Sequence, residues 1–329
     1  MKDKLIIITG PTASGKSEIA IKVAKSFNGE IISCDSQQIY KEMDIGTNKE
    51  SDFRNIKHHM IDIINPDENF TVETFSSLVK PIVHDINNKG NIPILTGGTG
   101  FYIDSLLFEM NYGNTPKDPK IRRNLQDICD LKGSSFLYDE LKEIDSKTAV
   151  KYHKNESQRI IRALEIYEIT GKKPSELRKG DRVLNNDIEP ILFFLNYKDR
   201  SKLYQNINNR VLKMLDAGLI DEFVYIVKKY ELTKDSQSMA AIGYKELFSY
   251  FNKEINIVEL VDLIQKNTRH YAKRQVTWMK KYKIYNFTHE IIMDNLSKND
   301  ASDIIINTIK DVYEFWWNIY SLWNWWVIW

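Results

Sequence analysis

"GPTASGKS", residues 10–17, is the stretch that decides the fold of this chain. It fits the phosphate-loop pattern G-x-x-x-x-G-K-[ST], in which backbone N–H groups surround an anion and the lysine adds a positive charge. An apolar run, "LIIIT" (5–9), precedes it, and a helical pattern, "EIAIKVAKSF" (18–27), follows it. Because strand, loop and helix come in the required order, we expect a phosphate site here. The residues expected to form it are Gly10, Pro11, Thr12, Ala13, Ser14, Gly15, Lys16 and Ser17, with the Ser17 hydroxyl as a candidate ligand for Mg²⁺.

Bulk composition limits the class of protein without identifying it. The chain has 329 residues, 42% of them hydrophobic, which suffices for one large domain or for a core with a second lobe. Lys plus Arg number 46 against 45 for Asp plus Glu, so a nucleic-acid site has to come from local clustering of charge. Two cysteines, Cys34 and Cys129, and no apolar N-terminal leader predict a cytoplasmic protein without disulfides or a zinc site.

The pattern of the first hundred residues predicts an α/β fold of the P-loop NTPase type, a parallel sheet with flanking helices. Apolar runs alternate there with helical patterns, as in parallel sheets with crossover helices. The predicted strands are 4–9, 30–34, 59–64, 92–96 and 190–196. Strand signals disappear from 111 to about 190, which predicts a helical insertion domain. We therefore expect a core in two parts (1–112 and 190–287), an insertion (113–189) and a C-terminal extension of unclear role (288–329).

The C-terminal extension ends in "FWWNIYSLWNWWVIW" (315–329), which holds six of the seven tryptophans. Its fifteen residues are fewer than the ~20 needed to cross a bilayer. The alternatives for this tail are an interfacial anchor, since Trp favours membrane interfaces, and a non-native terminus. Our prediction for the protein is no membrane partner.

Two further loops follow predicted strands at the edge where open α/β sheets bind ligands. "SCDSQQIY" (33–40) places Asp35 there, where a carboxylate can hold Mg²⁺ or accept a proton from a nucleophile. "LTGGTGFY" (95–102) brings Thr99 and the glycine backbone to the same edge. The structural alternatives are a turn stabilised by the Asp35 side chain and a tight strand-to-helix turn at Thr99.

The phosphate loop alone leaves the reaction open. Energy-transducing classes are disfavoured, because the chain has no Asn-Lys-x-Asp guanine reader and its strand 92–96 runs into "GGTG" and not into an aspartate. A small-molecule kinase of the P-loop type remains an alternative, as does an RNA-binding ATPase that uses the loop as a switch.

One predicted helix combines a basic and an aromatic face. In "TRHYAKRQVTWMKKYK" (268–283), Tyr271, Gln275, Trp278 and Tyr282 share one face at helical spacing, and basic side chains occupy the other. No acidic residue occurs from 266 to 283, so the basic face suits a polyanionic backbone. A solvated basic surface over an aromatic core stripe is the alternative.

Taken together, these motifs resemble the bacterial tRNA dimethylallyltransferases. The matching stretches run in family order: "GPTASGKS", "DSQQIY", "MDIGT", "HHMID", "GGTGFY", "QRIIRALEIYEITG", "RVLKMLDAGLIDE", "AIGYKE" and "TRHYAKRQVTW". The resemblance implies transfer of a dimethylallyl group from dimethylallyl diphosphate to N6 of adenosine 37 in tRNAs that read codons beginning with U. The phosphate loop would then hold a diphosphate leaving group in place of ATP. One departure is "GTNKE" (46–50), where many relatives have "GTAKP".

The resemblance also implies roles for individual residues. Asp35 matches the general base, Thr99 a threonine near the reacting base, and Arg210 an arginine that reaches the diphosphate. The residues matched to tRNA binding are Asp35, Ser36, Gln37, Gln38, Arg122, Gln158, Arg159, Ile160, Ile161, Arg162, Arg269, Lys273 and Arg274. The implied partners are the anticodon stem-loop of tRNA and dimethylallyl diphosphate, the implied cofactor is Mg²⁺, and we expect a monomer.

Overall fold

The structure is a computed structural model that describes residues 2–49, 53–110, 118–177 and 183–326, with side chains described as far as residue 313. It divides into two compact units. The first comprises residues 1–107 and 185–329, and the second comprises Phe108–Leu184. The insertion expected from sequence, 113–189, begins and ends five residues later than the second unit (113 against 108, and 189 against 184).

In the described part of the first unit, six parallel strands form one sheet, in the order β3-β2-β4-β1-β5-β6. Buried strands with helices on both faces read as continuous apolar runs, and "LIIIT" in β1 and "ILFFL" in β5 are such runs. The strands are β1 (Asp3–Thr9), β2 (Glu30–Ser33), β3 (His58–His59), β4 (Pro93–Gly97), β5 (Ile188–Asn196) and β6 (Thr288–Ile292).

Helices of the first unit cover the sheet and line its carboxyl edge. They are α1 (Lys16–Ser26), α2 (Val72–Asn88), α3 (Gly100–Leu107), α9 (Arg200–Asp216), α10 (Leu219–Tyr230), α11 (Tyr244–Phe251), α12 (Ile257–Met279) and α13 (Lys298–Trp326), with two 3₁₀ helices at Gln237–Ala240 and Lys280–Ile284. Within the parts of the chain that the structure describes, no helix is long and apolar enough to span a membrane.

The second unit is helical, as the loss of strand signals predicted for this part of the chain. Its helices are α4 (Pro119–Lys132), α5 (Ser134–Ile144), α6 (Ser146–Ala149), α7 (Ser157–Thr170) and α8 (Pro174–Leu177). A separate apolar core, which includes Leu125, Leu137 and Ile160, holds it together. Asp118 caps α4 by accepting the Lys120 N–H at 2.8 Å.

The side chains of β1 alternate between the two faces of the sheet, and this alternation places the main core. Ile6 and Ile8 are fully buried in a cluster with α1 and α13. Leu5 and Ile7, equally buried, point to the opposite face, where α2 contacts β1. The strand is therefore fixed from both sides, and its carboxyl end delivers the phosphate loop from a rigid base.

Two expectations from the sequence differ from the structure. The predicted strand 59–64 is wrong beyond His59, because Met60 and Asp62 have left-handed backbone conformations (φ 63° and 55°) that a strand does not accommodate. Residues 288–329 were expected to be an extension, but β6 pairs with β5 and α13 packs against α1. Part of that segment therefore belongs to the main core.

We predict that the Ile305→Ala substitution lowers the free energy of unfolding by about 2–5 kcal/mol, because Ile305 of α13 is fully buried in the apolar cluster that also contains Ile6 and Ile8. Ile304 is the matched control, since it is 40% exposed on the same helix. Ile304→Ala should change stability by less than about 0.5 kcal/mol. Urea denaturation measures the free energy of unfolding of both variants. An effect of Ile305→Ala as small as that of Ile304→Ala would show that α13 is not part of the core.

Candidate active site

The phosphate loop connects β1 to α1 at the carboxyl edge of the sheet. α1 begins at Lys16, and Gly15 before it has the left-handed φ of 82° that lets the loop turn its N–H groups inward. The Lys16 ammonium donates to the Pro11 carbonyl at 3.2 Å, so it folds back over the loop. Thr12, Lys16 and Ser17 line a cavity that lies within the first unit. The loop thus lies between a strand and a helix, in the order that the sequence predicted.

A second cation reaches the loop from α9. The Arg210 guanidinium donates to the Thr12 Oγ1 at 2.8 Å and lines the same cavity. Burial, followed by the charge of Arg210, lowers the pKa of Lys16 to about 8, while Asp35 acts in the opposite direction. Burial also lowers the pKa of Arg210, again opposed by Asp35. Two crowded, desolvated cations favour an anion at this position.

Asp35 lies just past β2 and lines the cavity. Its Oδ1 accepts the Gln37 N–H at 2.9 Å, so the turn proposed as the structural alternative is present. One oxygen is committed to that turn, and the carboxylate still faces the cavity that holds Lys16 and Arg210. The structural and the functional interpretations of Asp35 are therefore compatible.

Thr99 does not line the cavity but joins the two loops beside it. Its Oγ1 accepts the Ser36 N–H at 3.1 Å, and its own N–H donates to the Cys34 carbonyl at 3.1 Å. The Tyr271 phenol lies close to the Thr99 side chain. Burial, followed by the charge of Asp35, raises the pKa of Tyr271 well above its usual range, so the phenol stays protonated.

Gln275 of α12 bridges two of the loops. Its Oε1 accepts the Thr12 N–H at 2.8 Å, and its Nε2 donates to the Gly98 carbonyl at 3.1 Å. A Cβ on Gly98 would lie 1.9 Å from the Gln275 Nε2, so a side chain at this position would displace the bridging amide. The glycine turn was expected to approach a ligand, but at Gly98 it approaches α12 instead. The sequence analysis placed Tyr271 and Gln275 on one helix face but did not assign them to the site. The polar atoms of these two side chains, within an otherwise aromatic stripe, were the feature of the sequence that could have indicated it.

The opposite wall of the cavity contains Gln38. Its Oε1 accepts from the Ser33 Oγ at 2.9 Å, and its Nε2 donates to the carbonyls of Thr47 and Asn48, each at 3.4 Å. All four residues line the cavity. Ser36 and Gln37 do not line it, but the buried Gln37 Oε1 has no hydrogen-bond partner among the described residues.

The residues of the second unit that were matched to tRNA binding form three pairs with different surroundings. Ile160 and Ile161 are fully buried in the core of that unit, which corrects their assignment, because their side chains cannot contact RNA. Arg122 and Arg162 both donate to the Glu165 Oε2, at 2.9 and 2.8 Å. The two side chains that remain exposed are Gln158, which donates to the Gln126 amide at 3.0 Å, and Arg159, which pairs with Glu156 at 2.8 Å.

The basic face of α12 is solvent-accessible, as its periodicity predicted. Lys273 is exposed, Arg269 donates to the Asn208 Oδ1 at 2.7 Å, and the Arg274 guanidinium lies 5.7 Å from the centre of the Tyr271 ring. Lys273 also lines a second cavity, and no acidic side chain occurs among the residues that line it. The basic residues lining that cavity are Lys198, Arg200, Lys273 and Lys280.

No group of three or more His, Cys, Asp or Glu residues that could hold a metal ion occurs in the described part of the chain. The Ser17 side chain is exposed and lines the first cavity. A metal here would therefore take few ligands from the protein and most from a bound phosphate and water, which is the usual pattern for Mg²⁺ at phosphate sites.

Fold and site together define a P-loop α/β protein whose cavity sets a cationic loop opposite a carboxylate. A sequence model described as IPP transferase matches residues 38–282. The chain belongs to this IPP transferase family.

Named relatives and solved structures agree with this membership. A tRNA dimethylallyltransferase from Caldanaerobacter subterraneus subsp. tengcongensis is 45% identical over 285 residues, which cover 86% of this chain and 90% of that protein. A tRNA dimethylallyltransferase from Thermoanaerobacter pseudethanolicus is 44% identical over 285 residues, again 86% of this chain and 90% of that protein. The crystal structure of a tRNA isopentenylpyrophosphate transferase from Bacillus halodurans has a TM-score of 0.70 at 35% identity and covers 97% of this chain and 100% of its own. The structure of a eukaryotic dimethylallyltransferase acting on tRNA has a TM-score of 0.79 at 30% identity, and the match covers 95% of this chain and 80% of its own.

We predict that sulfate binding to the phosphate loop weakens about tenfold between about pH 7 and pH 10. Lys16 is charged below its pKa of about 8 and loses its charge above it, whereas sulfate keeps its charge throughout. NMR titration at several pH values measures the affinity. In Lys16→Met, the matched control, binding should be weak and independent of pH; a pH-independent affinity in the unsubstituted protein would contradict the prediction.

Proposed function

We propose that this chain transfers the dimethylallyl group of dimethylallyl diphosphate to N6 of adenosine 37 in tRNAs that read codons beginning with U. The observation that carries the proposal is the pairing of two cations, Lys16 and Arg210, with one carboxylate, Asp35, around a single cavity. The names of the relatives, tRNA dimethylallyltransferase, support the donor group and the acceptor.

The leaving group explains the cationic side of the cavity. When the allylic C–O bond breaks, its electron pair goes to the diphosphate, and negative charge develops on the bridging oxygen. Lys16 and the Arg210 guanidinium are already held at the phosphate loop, beside the start of α1, by their bonds to the Pro11 carbonyl and the Thr12 hydroxyl, so little reorganisation is needed as charge develops.

The residues of the loop fit a magnesium ion as the cofactor of this step. Ser17 would hold it through its hydroxyl, with diphosphate oxygens and water as the other ligands. When bound, Mg²⁺ supplies charge neutralisation at the diphosphate. The exposure of the Ser17 side chain beside Lys16 supports this role.

Asp35 suits the acceptor side of the reaction. The N6 lone pair attacks the allylic carbon as the C–O bond breaks, and the nitrogen must then lose a proton. Asp35 accepts it, since the carboxylate faces the cavity and is held in place by the Gln37 N–H. Thr99 keeps this loop in register with the glycine turn.

The tRNA has to present an unstacked adenine to the cavity. Gln38 offers an oriented amide in the cavity wall, and the unpaired Gln37 Oε1 offers a buried acceptor beside it. Ser36 completes this group of expected tRNA contacts. Along the tRNA backbone we place the side chains of Arg122, Gln158, Arg159, Arg162, Arg269, Lys273 and Arg274. We also propose a cytoplasmic location and a monomeric state.

One assay separates the proposed prenyl transfer from the alternative, a small-molecule kinase. The protein is incubated with unmodified tRNA, Mg²⁺ and labelled dimethylallyl diphosphate, with ATP in a parallel reaction. We expect label in tRNA only when both tRNA and the prenyl donor are present, and no tRNA-independent use of ATP. ATP consumption without prenyl transfer would overturn the proposal.

We predict that Asp35→Asn lowers kcat about 10²- to 10⁴-fold. The asparagine Oδ1 still accepts the Gln37 N–H, so the turn is kept while the proton acceptor is lost. The dissociation constant for tRNA should stay within about twofold. Single-turnover transfer and tRNA binding measure the two effects; an unchanged kcat would remove Asp35 from the mechanism.

A second prediction concerns the basic face of α12. Arg269→Ala with Lys273→Ala should weaken tRNA binding and reduce the slope of log K against log salt concentration by ~0.7–0.9 for each lost phosphate contact. Lys310→Ala is the matched control, because Lys310 is an exposed lysine on α13. An unchanged slope in the double variant would favour the solvated-surface interpretation of this face.

A further inference from the structure

Three sequence motifs have no part in the reaction described above, and the structure joins them at one carboxylate. They are "MDIGT" (43–47), the end of "RVLKMLDAGLIDE" (210–222) and "AIGYKE" (241–246). Glu222, in the first turn of α10, touches both of the other motifs.

The Glu222 carboxylate accepts four hydrogen bonds. Its Oε2 accepts the N–H groups of Asp44 and Ile45 at 2.8 and 2.7 Å. Its Oε1 accepts the Gly46 N–H at 3.1 Å and the Tyr244 hydroxyl at 2.6 Å. A Cβ on Gly46 would lie 2.3 Å from the Tyr244 ring, so the loop and the ring are in close contact. The four donors point at the two terminal atoms of the Glu222 side chain. Only a carboxylate has an acceptor oxygen at both of these terminal positions.

The loop held by Glu222 continues directly into the cavity wall. Thr47 and Asn48 follow Gly46, and their carbonyls accept from the Gln38 Nε2. The Ser33 hydroxyl donates to the other end of the same amide. The orientation of the Gln38 amide therefore depends on the position of residues 47 and 48, and their position depends on the three N–H groups bound by Glu222.

Other contacts hold the surroundings of this carboxylate without its help. The Lys49 ammonium donates to the Tyr40 carbonyl at 2.6 Å and to the Asp44 Oδ1 at 2.7 Å. Glu246 accepts the Gly243 N–H and the Asn267 amide, both at 2.7 Å, and so ties α11 to α12. Loss of the Glu222 carboxylate should therefore loosen residues 44–48 without unfolding the unit.

We propose that Glu222 is a positioning residue that fixes the Gln38 amide for the incoming nucleobase. Glu222 itself touches neither substrate; it acts through the loop 44–48. The inference rests on the proposed function, because the ligand that the Gln38 amide meets is the purine to be prenylated. The diphosphate end of the donor is held by Lys16 and Arg210, so the effect of Glu222 should be confined to the tRNA.

The test compares Glu222→Gln with Asp221→Asn in steady-state transfer kinetics. Asp221 is an exposed carboxylate in the same turn, and its substitution makes the same change in charge. In Glu222→Gln an amide N–H₂ group faces two of the donors, so we expect kcat/KM for tRNA to fall about tenfold. The KM for dimethylallyl diphosphate should stay within about twofold, and Asp221→Asn should match the unsubstituted protein on both measures.

Each outcome of this comparison supports or overturns the positioning role of Glu222. Equal kcat/KM values for tRNA in the two variants would overturn the role of Glu222 alone. An equal rise in both KM values together with a lower thermal midpoint would make the residue structural and overturn it as well. Absence of transfer in all three proteins would overturn the proposed function and this role with it.

A second variant keeps the proposal falsifiable if Glu222→Gln does not fold. Tyr244→Phe removes one donor and leaves the three backbone bonds, so kcat/KM for tRNA should fall about threefold with an unchanged KM for the donor. No change in Tyr244→Phe would then overturn the proposal.

Discussion

The buried amide of Gln275 is the contact on which the arrangement of the site depends. It joins the phosphate loop to the glycine turn after β4 by accepting from Thr12 and donating to Gly98. Both ends of an amide are used, so neither loop can shift without leaving a buried polar atom unpaired. Because Gln275 is on α12, whose other face is basic, the same helix fixes the cavity and presents positive charge to solvent.

The two sides of the cavity are stabilised in different ways. On the phosphate side, like charges are crowded and desolvated, and burial lowers the pKa values of Lys16 and Arg210. An anion relieves this repulsion, so the folded protein is already organised for a phosphate ligand. On the side of Gln38, neutral hydrogen bonds set the orientation of the amide, and the loop behind it is held by the Glu222 carboxylate and the Lys49 ammonium. Electrostatic binding and shape recognition are thus separated within one pocket.

Local sequence patterns predicted the parts of the protein that local rules determine. The phosphate loop lies between a strand and a helix as its motif requires, and the periodicity of 268–283 gave the two faces of α12. The failures have physical causes. Left-handed residues end β3 at His59, and the edge strand β6 has polar side chains at three of its five positions, so it lacks the continuous apolar run of β1 and β5. The contacts of Gln275 and Glu222 join side chains to loops 176 or more residues away, which no local pattern encodes.

In the proposed reaction, the phosphate loop holds the diphosphate of a prenyl donor while Asp35 faces the reacting amine. A crystal structure with Mg²⁺ and dimethylallyl thiodiphosphate, an unreactive analogue with sulfur in the bridging position, tests it most directly. The account predicts diphosphate oxygens within hydrogen-bond distance of the Lys16 ammonium and the Arg210 guanidinium, with the allylic carbon on the side of Asp35. A diphosphate bound outside the loop, or ATP seated there with its terminal phosphate directed at Asp35, would contradict it.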